Sequence, residues 1–240
     1  TQSFEEIIEK LKAYDEENNP EWLVGRGWDQ NDWEKKEFPN KKSLDKVFPD
    51  KPVFLKRIDG HAAIANSKAI EIAGIDQNTS IDGGKLITEN GKLTGVLIDN
   101  ATGLVSRVIP DPTKEEKISS LIQGAENCYG VGLTSVADAG LGYKSIQLLD
   151  SLQQAGEIDM QTYVMLSPTE KNFKEYVEEG VYNTGKMHIQ SIKLFADGAL
   201  GSRGACLLNP YSDDPDNLGF LVTAQEKLKK YAQKAYDHNY

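Results

Sequence analysis

Histidine and cysteine are scarce in this sequence, and their scarcity excludes several common centres. Three histidines occur in 240 residues, His61, His188 and His238. They form no HxH or HExxH motif, so they cannot assemble a histidine-rich metal site by themselves. The two cysteines, Cys128 and Cys206, have no CxxC or CxxH spacing, which excludes a zinc ribbon and a dithiol redox motif. Cys128 lies among apolar residues in a helical pattern and reads as a core thiol. No apolar run approaches the roughly 20 residues of a membrane-spanning helix. A GxSxG elbow is missing, and Gly25-Arg26-Gly27 lacks the third glycine and following helix of a dinucleotide fingerprint. Positive charge is also short: 27 Lys and Arg against 37 Asp and Glu give a net charge of −10. That balance argues against nucleic acid and anionic membrane surfaces as partners. No signal-peptide pattern is present. The chain opens at Thr1 without a methionine, so the natural N-terminus is expected upstream, and a cytoplasmic location is favoured.

What remains is a globular composition, 39% hydrophobic and 27% charged, long enough to bury a sizeable core. Ser3-Phe4-Glu5-Glu6 is a capping box before Ile7, Ile8 and Leu11 at helical spacing. Residues 21–52 show no clear period. Val53 to Ile58 reads as a strand. Asn66 then caps a helix from Ser67 to Ala73 that Gly74 closes. Asn90-Gly91 between two apolar runs signals a hairpin. Three segments follow from these shifts: a helical and irregular lead-in over 1–49, a β-rich insert over 50–105, and a βα segment over 106–240.

In that last segment, strands and helices alternate. Thr113-Lys114-Glu115-Glu116 is a capping box, and Ile118, Leu121, Ile122 and Ala125 mark one helical face. Strands are expected at Leu133–Val136, near Gln161–Leu166 and over Ile189–Ala196. Ser167-Pro168-Thr169-Glu170 and Thr223-Ala224-Gln225-Glu226 look like further helix caps. Alternation at this spacing points to an α/β fold with parallel strands, either doubly wound or a (β/α)8 barrel. Only three good strands are visible, so a barrel would be a partial one.

Lys193 is the sharpest single residue. It interrupts the apolar strand Ile192-Lys193-Leu194-Phe195-Ala196, near the C-terminal end, where barrel sites form. A buried lysine needs a partner or chemical alteration. It can serve as a Schiff-base amine, a depressed-pKa base or a carbamate formed with CO2, and a snorkelling edge lysine accounts for it without chemistry. Asp138 is expected at the C-terminal end of the Leu133–Val136 strand as a candidate catalytic carboxylate, or as the cap of a turn. Arg57 and His61 flank Ile58-Asp59-Gly60, which could present polar groups to a carbonyl or anion, or form an ordinary surface turn. Asp197 to Gly204, with Arg203 inside it, is a loop of small residues that allows close backbone approach to a ligand.

Five segments in order resemble one family, the family-3 amidohydrolases related to N-substituted formamide deformylases. They are Trp22-Leu23-Val24-Gly25-Arg26-Gly27-Trp28-Asp29, Pro52 to His61 with Asn66-Ser67-Lys68-Ala69, Gly95 to Ala101, Gly132 to Gly140, and Ile192 to Arg203. Together they span nearly the whole chain. The resemblance implies a metal-dependent TIM barrel with a small β domain and an insert, hydrolysing amide-like C–N bonds of a small-molecule substrate by metal-activated water. It implies a divalent metal, zinc by preference, with Lys193 as a ligand in carboxylated form. It implies a catalytic role for Lys193 and turns Arg57 and His61 toward substrate; Asp138, from its strand, is the second catalytic candidate, and Asp197 and Arg203, from their loop, are further substrate-binding candidates. The HxH segment would precede Thr1, and the remaining histidine and aspartate ligands would follow Tyr240. The chain is therefore expected to be an internal fragment carrying barrel strands two to four, with an incomplete metal site and little activity alone. Unpaired strand edges would favour homo-oligomers. Two alternatives stand beside this reading: an inactive binding or regulatory module of the same fold, and a lyase forming a Schiff base on Lys193.

Overall fold

The computed structural model describes all residues, 1–240. They group into two compact units, one of residues 1–110 with 196–223, the other of 111–195 with 224–240.

The first unit is built on a five-stranded mixed sheet. Its opening helix α1 (Phe4–Asn18) starts where Ser3 accepts from the Glu6 N–H. The reciprocal bond comes from the Gln2 N–H rather than from Ser3, so only half of the expected box forms. Then come β1 (Leu23–Trp28), α2 (Lys42–Val47), β2 (Val53–Arg57), β3 (Ala62–Ala65), α3 (Ser67–Ile72), β4 (Gly84–Glu89), β5 (Lys92–Asp99) and α4 (Thr102–Ser106). The strand order is β1-β2-β3-β5-β4, with β1 parallel to β2 and the rest antiparallel. Asn90 and Gly91 both take positive φ, which a two-residue turn between right-twisted strands requires.

Strand β3 and the first three residues of β2 are wholly apolar because both faces of this sheet are covered. Val53, Leu55 and Ile64 pack with Phe4, Ile8 and Leu11 of α1. Phe54, Ala63 and Ala65 face the other way, onto Ala69, Ile70, Leu104 and Val105 of α3 and α4. The corner between β3 and α3 is tied by Asn66, fully buried. Its Oδ1 accepts from the N–H groups of Val53 (2.9 Å) and Ala69 (3.0 Å), and its Nδ2 donates to the carbonyls of Phe48 (2.8 Å) and Lys51 (2.9 Å).

The second unit alternates as its sequence suggests: α5 (Lys114–Gly130), β6 (Ser135–Leu141), α6 (Tyr143–Gln154), β7 (Gln161–Leu166), α7 (Glu170–Asn172, running on as a π-helical turn over Phe173–Val177), β8 (Tyr182–Asn183), β9 (Met187–Ile192) and α8 (Gln225–Asp237). Strands β6, β7 and β9 are parallel neighbours, and short β8 closes the far edge antiparallel. Thr113 forms the full capping box with Glu116. At α8 the capping residue is Ala224, without a side-chain bond, so the cap expected from Thr223 does not form. Val164, Leu166, Met187 and Ile189 form one face of the sheet and pack against Ile146, Leu149, Leu152, Phe173 and Val177. Cys128 is half-buried against this core.

Two boundaries differ from those expected. Strand β6 begins later and runs through Ala137-Asp138-Ala139, whose small side chains keep pairing with β7. Asp138 is therefore mid-strand, not at the strand's end. Strand β9 ends at Ile192, so Lys193 lies one residue beyond it, although its N–H still donates to the Leu166 carbonyl (2.9 Å).

Candidate functional site

In the first unit polar residues that follow β1 and β2 converge on Arg57, whose side chain is only 2% exposed. A buried guanidinium must be paired or it destabilises the fold severely. Here Nε donates to Gln30 Oε1 (2.8 Å), Nη1 to Asp59 and Nη2 to Asp29. Asp29 reaches it from the end of β1 and Asp59 from the turn after β2. Gln30, itself buried, donates onward to the Gly201 carbonyl (3.3 Å). Gly201 lies over the guanidinium, because a Cβ there would come within 3.0 Å of both terminal nitrogens.

His61 follows in the same turn. Its N–H donates to Asp59 Oδ1 (2.9 Å), and its ring Nδ1 lies 2.6 Å from Asp99 Oδ1. Asp99 ends β5, with its side chain 1% exposed. Burial pushes its carboxyl above the ordinary range, and the His61 ring pulls against that shift. The loop of small residues after Lys193 is seated on this pair. A Cβ at Gly198 or Gly204 would collide with Asp99 Oδ2. The glycines therefore have a packing reason: they let the loop backbone approach Asp99 and Arg57. Within that loop Asp197 Oδ2 accepts from the Cys206 N–H (2.9 Å). Arg203, at positive φ, pairs with Asp213 and donates to the Gly201 carbonyl (3.2 Å). Asp197 and Arg203 thus brace the loop itself.

In the second unit Lys193 is half-buried rather than buried. Its Nζ lies 4.7 Å from the centroid of the Phe195 ring, a cation–π contact. Its stem passes near Gly140, where a Cβ would sit 3.9 Å from Lys193 Cγ and 3.7 Å from Ser167 Oγ. Gly140 is the bulged residue of β6, at φ +113°. The Ser167 hydroxyl donates to its carbonyl, and Asn172 Nδ2 donates to the carbonyls of Leu141 and Ser167, each at 2.9 Å. Gly140, Ser167 and Lys193 thus gather at the C-terminal ends of three parallel strands, where sites form in α/β folds.

Asp138 is not brought into that group. It pairs in register with Val164, so strand alternation puts it on the face that carries the helices. Its side chain reaches solvent, yet partial desolvation raises its carboxyl and no cation offsets the shift. His188 stacks on Tyr163 (5.6 Å), and His238 Nδ1 meets the Lys234 carbonyl at the end of α8.

The residues present do not fit a metal centre by themselves. No three His, Cys, Asp or Glu side chains cluster closely enough to hold an ion, and Lys193 forms no ion pair. Sequence reading missed Gln30 and Asp99 as site residues. Asp99 carried a signal, as the one acidic residue of the segment Gly95 to Ala101, whereas nothing local marks Gln30.

The Amidohydrolase family model matches residues 1–240. Putative amidohydrolase YtcJ of Bacillus subtilis is 34% identical over 224 residues, which is 90% of this chain and 42% of that protein. N-substituted formamide deformylase of Arthrobacter pascens is 29% identical over 163 residues, 65% of this chain and 30% of the relative. Among solved structures, an uncharacterized metal-dependent hydrolase from Pyrococcus horikoshii matches with a TM-score of 0.64 and 30% identity, over 99% of this chain and 46% of that one. Its counterpart from Pyrococcus furiosus gives 0.61 and 27%, over 100% and 48%. The chain spans less than half the length of each of these relatives.

Proposed function

This chain belongs to the amidohydrolase family, and from that premise we propose that it is part of a metal-dependent hydrolase of amide-like C–N bonds. In this reading β6, β7 and β9 are strands two to four of a (β/α)8 barrel, and 50–105 is the insert subdomain. Residues 196–223 are the loop that leaves after the fourth strand. The observation that carries the reading is the place of Lys193. It follows the C-terminal end of a parallel strand, half-buried, without a carboxylate partner, beside Gly140 and Ser167, which are half-buried as well. Lys193 is then a ligand to a divalent metal, zinc by preference, in carboxylated form, with further ligands from outside these residues. In this reading His61 contacts the substrate, and Arg57, Asp197 and Arg203 serve substrate binding through the carboxylates and loop that they hold.

The residues present do not by themselves form the metal's site. The test has two arms. The 240-residue chain, dialysed and analysed by plasma mass spectrometry, is expected to carry near-zero metal. The complete gene product, supplied with zinc and 13C-bicarbonate, is expected to hydrolyse N-substituted amides and to show a carbamate carbon by NMR. Lys193→Ala removes that signal and the metal together. About one tightly held metal on the 240-residue chain, or unchanged metal in the Lys193 variant of the complete protein, would overturn the assignment. Borohydride trapping of a carbonyl substrate on Lys193 would favour a Schiff-base lyase instead.

A further inference from the structure

We propose that Asp99 is a positioning residue for His61, holding the imidazole with its proton on Nδ1 so that Nε2 is the ring nitrogen offered to substrate. The substrate half of this inference rests on the hydrolase reading above, while the geometry of the pair stands within the first unit alone.

The two residues are joined twice. The Asp99 N–H donates to the His61 carbonyl (2.7 Å), and Asp99 Oδ1 lies 2.6 Å from His61 Nδ1. Asp99 reaches this place at φ +49°, a left-handed conformation that a residue with a Cβ adopts at some cost. Its other oxygen, Oδ2, is buried without a hydrogen-bond partner, walled in by Gly198 and Gly204. A buried carboxylate oxygen left unsatisfied costs more than the single remaining bond returns. The carboxylate thus spends its side-chain hydrogen bond on the His61 ring.

An ionised carboxylate can only accept, so Asp99 makes Nδ1 the donor and leaves the lone pair of the neutral ring on Nε2. The ring keeps access to solvent, with its side chain 21% exposed. Other groups facing the pair include Asp59, which accepts from the His61 N–H, Asp197 from the glycine-rich loop, and the Tyr211 hydroxyl. The two added carboxylates raise Asp99 further, and the ring proton is the charge-assisted donor that opposes them.

The tautomer can be read directly. With only three histidines, long-range 1H–15N spectra of the 15N-histidine-labelled chain can be assigned with His188→Gln and His238→Gln. Neutral His61 is expected as a single Nδ1–H tautomer. Asp99→Asn, whose amide can donate or accept, is expected to release it to a mixture. The indole N–H signals of Trp22, Trp28 and Trp33 report whether this unit stays folded in the variant. An Nε2–H or mixed His61 in the unmodified chain overturns the proposal without need of any variant.

In the complete gene product, Asp99→Asn is expected to lower kcat/KM about 100-fold, mostly through kcat. Unchanged kcat/KM in that variant, with Lys193→Ala inactive, makes the pair merely structural and leaves the hydrolase reading intact. Failure of the metal-supplied wild type on every amide tested removes the hydrolase reading and the substrate half of this inference together. The tautomer spectra then decide separately whether Asp99 positions the ring.

Discussion

Asn66 and Asp138 show how differently a polar residue can sit in one chain. Asn66 is fully buried and spends both oxygen lone pairs and both amide protons on backbone groups of three segments. Asn66→Ala leaves several of those groups unpaired, each costing about 1–3 kcal/mol. A loss of roughly 3 kcal/mol or more is expected in urea denaturation, and a loss under about 1 kcal/mol would show that water replaces the side chain. Asp138 is the opposite case, a carboxylate raised by desolvation with no partner to offset it. A carboxyl with a raised folded pKa binds its proton more tightly in the native state, so stability falls as pH rises through the interval between the unfolded and folded values. Asp138→Asn should therefore raise the melting temperature at pH 7. The gain should vanish as the pH is lowered toward the unfolded carboxylate value of about 3.9. A variant no more stable than wild type at pH 7 would mean that Asp138 has a partner in the folded protein.

At the scale of elements, glycines divide into those that packing requires and those that it does not. Gly124 lies inside α5, and a methyl group added there would meet nothing within 4 Å, whereas Gly204 lies against Asp99. Gly124→Ala is expected to stabilise the chain by about 0.5–1 kcal/mol, the usual helix-interior difference. Gly204→Ala should instead loosen the 196–223 loop and hasten its proteolysis. Equal proteolysis of the two variants would remove the packing reason given for the loop's glycines. The helix start at Thr113 was legible because its capping signal is local, whereas the similar pattern at Thr223 forms no cap. Strands β1 and β3 were not legible. Leu23–Trp28 is half glycine and charge, and Ala62–Ala65 is nearly all alanine. Their strand state comes from pairing with β2, which no local pattern reports.

At the scale of the whole molecule, alkaline pH tests the second core. Desolvation pushes the phenols of Tyr176, Tyr182 and Tyr240 up to about 12, with Asp150 adding to the first two. Their native forms hold protons that the unfolded chain releases near its ordinary tyrosine value of about 10. Stability should fall from pH 10 upward, as the native state then binds more protons than the unfolded one. A spectrophotometric titration should show three tyrosines ionising late, or abruptly as the chain unfolds. Ionisation of all ten tyrosines in one smooth step near 10 would contradict that core.

The sequence by itself determined the alternation of helix and strand after residue 113, the hairpin at Asn90-Gly91, the Asn66 cap and the family resemblance. Each of these rests on periodicity, on a turn residue or on a motif, all of which act over a few residues. Only the tertiary structure decided that residues 196–223 belong with 1–110, that Arg57 is locked between Asp29, Asp59 and Gln30, and that Asp99 meets His61. Apart from Asp59, which is two residues from Arg57, those contacts join segments tens of residues apart. Burial supplies their energetic reason: a guanidinium or a carboxylate removed from water needs partners, and the fold alone determines which residues arrive.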